Sequence, residues 1–254
     1  MTGYSDRENE IFGRASLLLG PAVMKRLSAL KVVVFGLGGV GSWCAEALLR
    51  SGIKHLTIVD ADTVSASNIN RQLMATSLNI GKPKTDAMKQ RLLEIDPDAD
   101  IVGINSVYSS ETARDFRLDE FDCIIDCIDS LKEKMSLILN ATATNAAFYS
   151  SMGSALKTDP GKIRTAEFWK VRGCPLAAML RKKMRQKGTL PSRPFQCVYD
   201  EEVLLNRGSA VSPDEDPGLF RKACVNGSVA HITGIFGLTL AGLVINDLYV
   251  HSKV

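Results

Sequence analysis

The sequence predicts an α/β fold: a doubly wound, mainly parallel sheet with a smaller C-terminal mixed region. Three observations carry this. Short β-branched runs alternate with helical segments from residue 31 to residue 151. A glycine-rich turn, Gly36-Leu37-Gly38-Gly39-Val40-Gly41, follows the first of those runs and opens a helix. Asp60 closes the next run about twenty residues on, the spacing at which a carboxylate meets ribose hydroxyls. The length, 254 residues, suits one large domain or a domain with an appended lobe.

The elements follow in order. Over residues 8–30, Ile11, Ala15, Leu18 and Leu19 recur at helical spacing, and Gly20-Pro21 breaks the run. A second short helix presents Val23, Leu27 and Leu30. Residues 31–35 are continuously apolar after Lys31, as in a strand covered on both faces. Residues 42–50 read as a helix closed by Gly52, and 55–59 as a strand. Helix, strand, strand, helix and strand are expected at 83–95, 100–104, 123–126, 131–147 and 147–151. This alternation makes residues 1–155 a Rossmann-like nucleotide-binding domain. Residues 156–254 form a C-terminal region of the same fold unit, with a strand at 163–169, a helix at 176–187 and an extended segment at 196–203. Residues 208–224 read as loop, and 212–218 as disordered.

Gly227 to Val250 is apolar and long enough to consider as a membrane span. It also holds His231, Thr233, Asn246 and Asp247, with Gly234, Gly237 and Gly242, so a buried core or subunit-interface helix accounts for it better. The hydrophobic fraction of 45% and charged fraction of 23% fit a soluble globular chain. A net charge of +3 does not by itself imply nucleic-acid binding. The six cysteines (Cys44, Cys123, Cys127, Cys174, Cys197, Cys224) form no C-x-x-C pair, so no zinc site is expected. No local signature marks any of them as a nucleophile, and small buried hydrophobes are their default reading. The N-terminus lacks an apolar signal region, which points to the cytoplasm and to reduced thiols. His55, His231 and His251 make no triad or metal pattern, and His231 is expected to be a satisfied core group.

The chemistry concentrates between residues 36 and 130. Gly36, Gly38, Gly39 and Gly41 let the backbone approach a phosphate or ribose, with helix-start N–H groups pointing at the anion. Asp60 suits a ribose in NAD or ATP alike, and Asp62 reads equally well as a functional or a solvated acid. Arg71 and Lys84 separate the two ligands. Forming an acyl-adenylate requires positive charge against the α-phosphate and the departing pyrophosphate, which Arg71 supplies as a planar fork and Lys84 as a point charge. Asn68 and Gln72 can orient the same oxygens. Asp129 and Ser130 follow another strand end at the same sheet edge. Asp129 suits a Mg²⁺ ligand or, on spacing alone, a helix N-cap, while Asp126 should lie within the strand. Farther along, residues 168–199 contain Lys170, Arg172, Arg181, Lys182, Lys183, Arg185 and Lys187 with no acid. Such a run can track a phosphate backbone or form a solvated helix face, and Trp169 and Phe195 could stack on a base.

The turn, Asp60-x-Asp62, Asn68-x-Asn70-Arg71-Gln72, Lys84 and Asp129 resemble the adenylating superfamily of ubiquitin-activating enzymes and bacterial sulfur-carrier adenylyltransferases, over roughly residues 8–155. The resemblance implies ATP on Gly41, Asp60, Asn68, Arg71 and Lys84, and magnesium on Asp129. It also implies that Arg14 reaches the ATP of a second subunit, and hence a homodimer. Beyond residue 152 the chain lacks the paired C-x-x-C motifs of the sulfur-carrier branch. It is instead similar to the branch acting on threonylcarbamoyladenosine in tRNA, through Asp129-Ser130 with Lys134, Gly153 near Asp159-Pro160, Pro175-Leu176-Ala177, Val198 to Glu202 and Thr233 to Gly237. That branch implies tRNA as partner and ATP-dependent cyclisation of the modified adenosine through an acyl-adenylate. The alternative is an adenylyltransferase that activates the C-terminus of a ubiquitin-like sulfur carrier. A sulfur-relay or other protein partner is compatible with either branch.

Overall fold

A computed structural model describes residues 4–208 and 225–251. The loop expected from residue 209 onward, its disordered stretch and Cys224 lie outside the described residues. Three short helices open the chain, α1 (Asp6–Ile11), α2 (Gly13–Leu19) and α3 (Pro21–Ala29). Then come β1 (Lys31–Phe35), α4 (Gly41–Arg50), β2 (His55–Val59), α5 (Lys84–Ile95), β3 (Asp100–Ile104), β4 (Cys123–Asp126), α6 (Leu131–Ala143) and β5 (Ala147–Ser151). The remainder is β6 (Ile163–Glu167), α7 (Pro175–Lys187), β7 (Gln196–Asp200) and α8 (Ala230–Val250).

The seven strands form one sheet in the order β3-β2-β1-β4-β5-β7-β6. All pairs are parallel except β6 with β7, which is the mixed C-terminal part. From β1 the chain steps one way to β2 and β3, and later the other way to β4 and β5. The crevice that such a reversal opens at the carboxyl ends of β1 and β4 is where doubly wound sheets hold ligands.

Strand alternation divides the core into two layers. Val32 and Val34 point to the layer that also holds Leu48 of α4, Met88 of α5 and Phe236 of α8. Val33 and Phe35 point to the layer with Leu137 of α6, Leu180 of α7 and Phe168. Both layers draw on the C-terminal elements, so residues after 155 complete the same sheet and its covering helices.

The boundaries depart from the sequence reading where side chains intervene. The opening helical stretch is three helices because Phe12 ends α1 and Gly20 ends α2. Helix α6 stops at Ala143, where Thr144 turns the chain by bonding the Ala141 carbonyl (2.9 Å) and accepting from Ala146 N (3.2 Å). Strand β6 stops at Glu167, whose carboxylate accepts from Trp169 N (3.0 Å) and caps a single 3₁₀ turn. The extended segment after Gln196 stops at Asp200, whose carboxylate turns the chain by accepting from Glu202 N (2.7 Å).

Helix α8, 21 residues long, is apolar enough to cross a membrane by length and composition. Here it lies across α4. A Cβ added at Gly237 would come within 2.4 Å of the Val40 carbonyl oxygen, so the two helices touch backbone to backbone. His231 corrects the sequence reading: it is exposed at the start of α8, with Nε2 3.0 Å from the Thr158 carbonyl oxygen. Cys44, Cys123, Cys174 and Cys197 are buried and Cys127 partly so. Burial pushes the Cys127 thiol well up, away from the thiolate a nucleophile needs.

Candidate functional site

The site is assembled at the carboxyl edge of β1, β2 and β4. After Phe35 the backbone enters a left-handed conformation at Gly36 (φ +89°), which only glycine adopts without strain. The turn then folds back on itself until Gly41 lies against Gly36, with the first turn of α4 aimed at the crevice. Ser42 holds it in place: its hydroxyl donates to the Gly38 carbonyl (2.8 Å) and accepts from Leu73 N (3.1 Å). A Cβ at Gly38 would meet nothing within 4 Å, whereas one at Gly39 would strike Thr233 of α8. The turn is therefore packed from behind and open at Gly38, as a cradle for a phosphate or ribose must be.

Asp60, at the end of β2, accepts from Leu37 N through Oδ2 (2.6 Å) and from Asp62 N through Oδ1 (2.9 Å). Burial raises its carboxyl above the ordinary value, opposed by the Lys84 charge and by these N–H donors. Lys84 is only 5% exposed at the start of α5. Its Nζ sits 2.7 Å from Asp62 Oδ2 and 3.8 Å from Asp60 Oδ1. The crossover from β2 to α5 carries the rest. Arg71 donates from Nη1 to the Ser67 carbonyl (2.9 Å) and to Asn70 Oδ1 (2.9 Å). Burial lowers its pKa, and the Asp129 carboxylate opposes that shift. Asn68 uses Oδ1 to accept from Ser65 N (3.1 Å), capping its own turn, so the structure gives that oxygen a local duty as well. Gln72 is buried and its Oε1 has no hydrogen-bond partner among the described residues. The same holds for Ser130 Oγ, on the far side of the crevice.

The structure thus gathers Gly36 to Gly41, Asp60, Asp62 and Lys84 into one contact set, and brings Asp129 and Arg71 within each other's field. Two contributors had no motif to announce them. Ser42 is described above, and Trp43 donates from Nε1 to the Arg71 carbonyl (3.1 Å), tying α4 to the crossover. Their signal was a polar hydroxyl and an indole in the first turn of a helix that must be buried behind a glycine turn.

Other singled-out residues stand apart. Arg14 is exposed on α2, which packs on α1 and α3. Of the cations of 170–187, Lys170 and Arg172 precede α7 and those from Arg181 to Lys187 lie on its second half. That helix starts at the carboxyl edge of the sheet, where Cys174 Sγ lies 3.8 Å from a Cβ built on Gly153. It runs about 20 Å toward the opposite edge, where Ser192 N bonds Thr142 Oγ1 (3.1 Å) ahead of β5. Lys170, Arg172, Lys182, Lys183, Arg185 and Lys187 are exposed, while Arg181 is half-buried and donates to the Phe168 carbonyl (2.9 Å). Trp169 is 37% exposed, with the Arg185 guanidinium 5.1 Å from its ring centre. Phe195 is buried between Phe148 and Phe168, so it stacks in the core and not on a base.

The sequence profile of the ThiF family matches residues 12–251. The chain is 33% identical to the tRNA threonylcarbamoyladenosine dehydratase of Bacillus subtilis over 240 residues, 93% of this chain and 94% of the relative. It is also similar to the crystal structure of Escherichia coli tRNA N6-threonylcarbamoyladenosine dehydratase in complex with ATP (TM-score 0.84, 27% identity, 98% of each chain). The molybdopterin-synthase adenylyltransferase of Haemophilus influenzae matches 44% of this chain, at 33% identity. A glycine cradle, an acidic strand end and a buried lysine are thus found on a chain that the family profile covers almost end to end, and this protein belongs to the ThiF family.

Proposed function

We propose that this protein is an ATP-dependent tRNA threonylcarbamoyladenosine dehydratase. The observation that carries the reading is Lys84, a cation buried at the nucleotide edge beside Asp60 and the glycine cradle. The named relatives of matching length support it. In the first step the threonine carboxylate of the modified adenosine attacks the α-phosphate. A carboxylate oxygen–phosphorus bond forms and the bond to the bridging oxygen breaks, releasing pyrophosphate. In the second, the neighbouring carbamoyl group attacks the acyl carbon, closes a ring, gives up a proton to solvent and expels AMP. The lost oxygen leaves within AMP, so the nucleoside is shorter by one water. Lys84 and Arg71 stabilise charge growing on the phosphates, Asp60 holds the ribose, and the cradle fixes the geometry of attack.

The site's own charges explain two further parts of the proposal. Lys84 lies beside Asp60 and Asp62, and Arg71 lies in the field of Asp129, so both cations already stand against carboxylates. A triphosphate needs more positive charge than that. Mg²⁺ fits the donor set: one exposed carboxylate, Asp129, plus phosphate oxygens is an ordinary magnesium environment. When bound, the ion neutralises phosphate charge. The second source is Arg14 of another copy. Arg14 shares α2 with Leu17 and Leu18, which are 89% and 77% exposed, an apolar surface that a homodimer would cover. Mixing Arg14→Ala with Lys84→Ala chains should then restore activity, because one site of each mixed dimer has both residues. Persistent inactivity of a demonstrably mixed dimer would count against this.

The α7 cations would hold the tRNA body. An exposed, acid-free basic segment from Lys170 to Lys187 suits a polyanion better than a carrier-protein tail. Lys182→Ala with Lys183→Ala should weaken tRNA binding and flatten its salt dependence by about 1–2 in log–log slope. Trp169→Ala should weaken binding with the slope unchanged, as for lost stacking. An unchanged slope for the lysine pair would remove them from the interface. We also place the protein in the cytoplasm, where its tRNA substrate is.

The decisive experiment incubates the protein with ATP and either modified or unmodified tRNA. AMP should form only with the modified tRNA, whose nucleoside should lose one water by mass spectrometry. Arg71→Ala should slow this about 100-fold or more. AMP formation indifferent to the modification would favour the sulfur-carrier reading.

A further inference from the structure

Directly behind the crevice lies an ion pair with no exposure at all. Asp126, the last residue of β4, and Lys134, in the first turns of α6, are both 0% exposed, with Nζ 2.8 Å from Oδ2. Desolvating two charges is costly, and an apolar pair of similar size would often serve stability as well. Its contacts show what the pair does instead. Asp126 Oδ1 accepts from Ile128 N (3.0 Å), and Lys134 Nζ donates to the Ile128 carbonyl (2.9 Å). Both backbone polar groups of one residue are therefore held by opposite ends of one ion pair. Ser150 on β5 donates to Asp126 Oδ2 (2.7 Å) and fixes the carboxylate from the other side. Cys127 N donates to the Phe35 carbonyl (2.8 Å), and Lys134 N to the Ser130 carbonyl (3.0 Å). The gripped segment rests on the nucleotide cradle: a Cβ on Gly36 would lie 2.9 Å from the Cys127 carbonyl oxygen and 3.2 Å from Ile128 N. The next residue is Asp129.

We propose that Asp126 and Lys134 are positioning residues: by gripping Ile128 from both sides they set the direction in which Asp129 meets the nucleotide phosphates. The proposal rests on the role given above to Asp129. An apolar pair could fill the same volume, but it could neither donate to the Ile128 carbonyl nor accept from the Ile128 N–H. The pair thus fixes the backbone angle before Asp129, where a rotation of one peptide would swing the carboxylate away.

The test uses the full chain and calorimetric binding of AMP, and of ATP with and without Mg²⁺. The variants are Lys134→Met, Asp126→Asn, Asp129→Asn and the double variant Asp129→Asn with Lys134→Met. Lys134→Met should leave AMP affinity within about two-fold, because the cradle and Asp60 hold AMP. It should weaken ATP binding in the presence of Mg²⁺ about ten-fold, the size typical of a lost supporting contact at a metal. In the Asp129→Asn background it should add nothing. Asp126→Asn, which keeps an acceptor for Ile128 N but removes the charge that holds the Lys134 ammonium, should give the same pattern if Lys134→Met does not fold. Equal losses of AMP and ATP affinity, or losses that add in the double variant, would reduce the pair to a fold-stabilising role. Asp129→Asn binding Mg²⁺ and ATP like the wild type would overturn the role of Asp129 and the positioning proposal with it.

Discussion

Lys84→Met is expected to lower the rate of AMP formation with modified tRNA about 10²–10³-fold, close to 3 kcal/mol of transition-state stabilisation. The size follows from where the ammonium is held. Lys84 is buried and its backbone N–H donates to the Asp62 carbonyl (3.0 Å), so the side chain starts from a fixed point and reaches the edge beside the cradle. Water cannot screen it there as it would a surface lysine. Lys84→Arg should rescue poorly, since a planar fork needs space that a buried point charge does not. The loss should appear mainly in the rate of adenylation, measured as a single-turnover burst of AMP. A rate within three-fold of wild type, about 0.6 kcal/mol, would remove Lys84 from the chemistry.

The same substitution has a pH signature. Asp60 already has a carboxyl raised by burial, and the Lys84 charge works against that rise. Without the lysine the folded-state value climbs further above the unfolded one. The native chain then binds a proton more readily than the unfolded chain across the carboxylate range. Stability of the variant therefore falls as pH rises through that range, and its Tm deficit should be small in acid and full at neutral pH. A deficit independent of pH would show that Asp60 and Lys84 are not coupled.

Much of the architecture was legible because the signals were local. Residues 31–35 and 123–126 could only be covered strands, being short, apolar and bounded by turns. The glycine turn, Asp60 and Lys84 converge because each sits at the carboxyl end of a strand or the start of a helix, and parallel strands bring those ends to one edge. What stayed hidden depends on tertiary partners. Phe195 looked available for stacking because aromatic character in a basic segment does not reveal whether a ring faces solvent or core; its neighbours Phe148 and Phe168 decide that. His231 looked like a core group because its helix is apolar, yet it lies on the exposed side of the first turn of α8, whose Ile232 and Thr233 are buried. The buried Asp126–Lys134 pair spans eight positions from strand end to helix, and no periodicity announces that both side chains turn inward. The route of α7 away from the carboxyl edge of the sheet likewise needed the sheet order before it could be seen.

Gly41→Ala should be the most damaging glycine-to-alanine change among the described residues. A Cβ there would lie 1.8 Å from the Gly36 carbonyl oxygen and 3.2 Å from the Cys127 Cβ. The obstacle is backbone of the same turn, which cannot move without pulling β1 and α4 apart. Forced overpacking of this kind costs about 3 kcal/mol, enough to lower Tm markedly and to unmake the cradle. Gly38→Ala is the control, since its methyl would meet nothing within 4 Å. That variant should fold with Tm close to wild type and still lose about ten-fold in ATP affinity, because the methyl occupies the volume that the nucleotide needs. Thermal unfolding and calorimetry of the two variants therefore separate what the turn does for the fold from what it does for the ligand. A wild-type Tm for Gly41→Ala would mean that the turn is not folded back on Gly36. Undiminished ATP binding by Gly38→Ala would mean that the open side of the turn is not where the nucleotide lies.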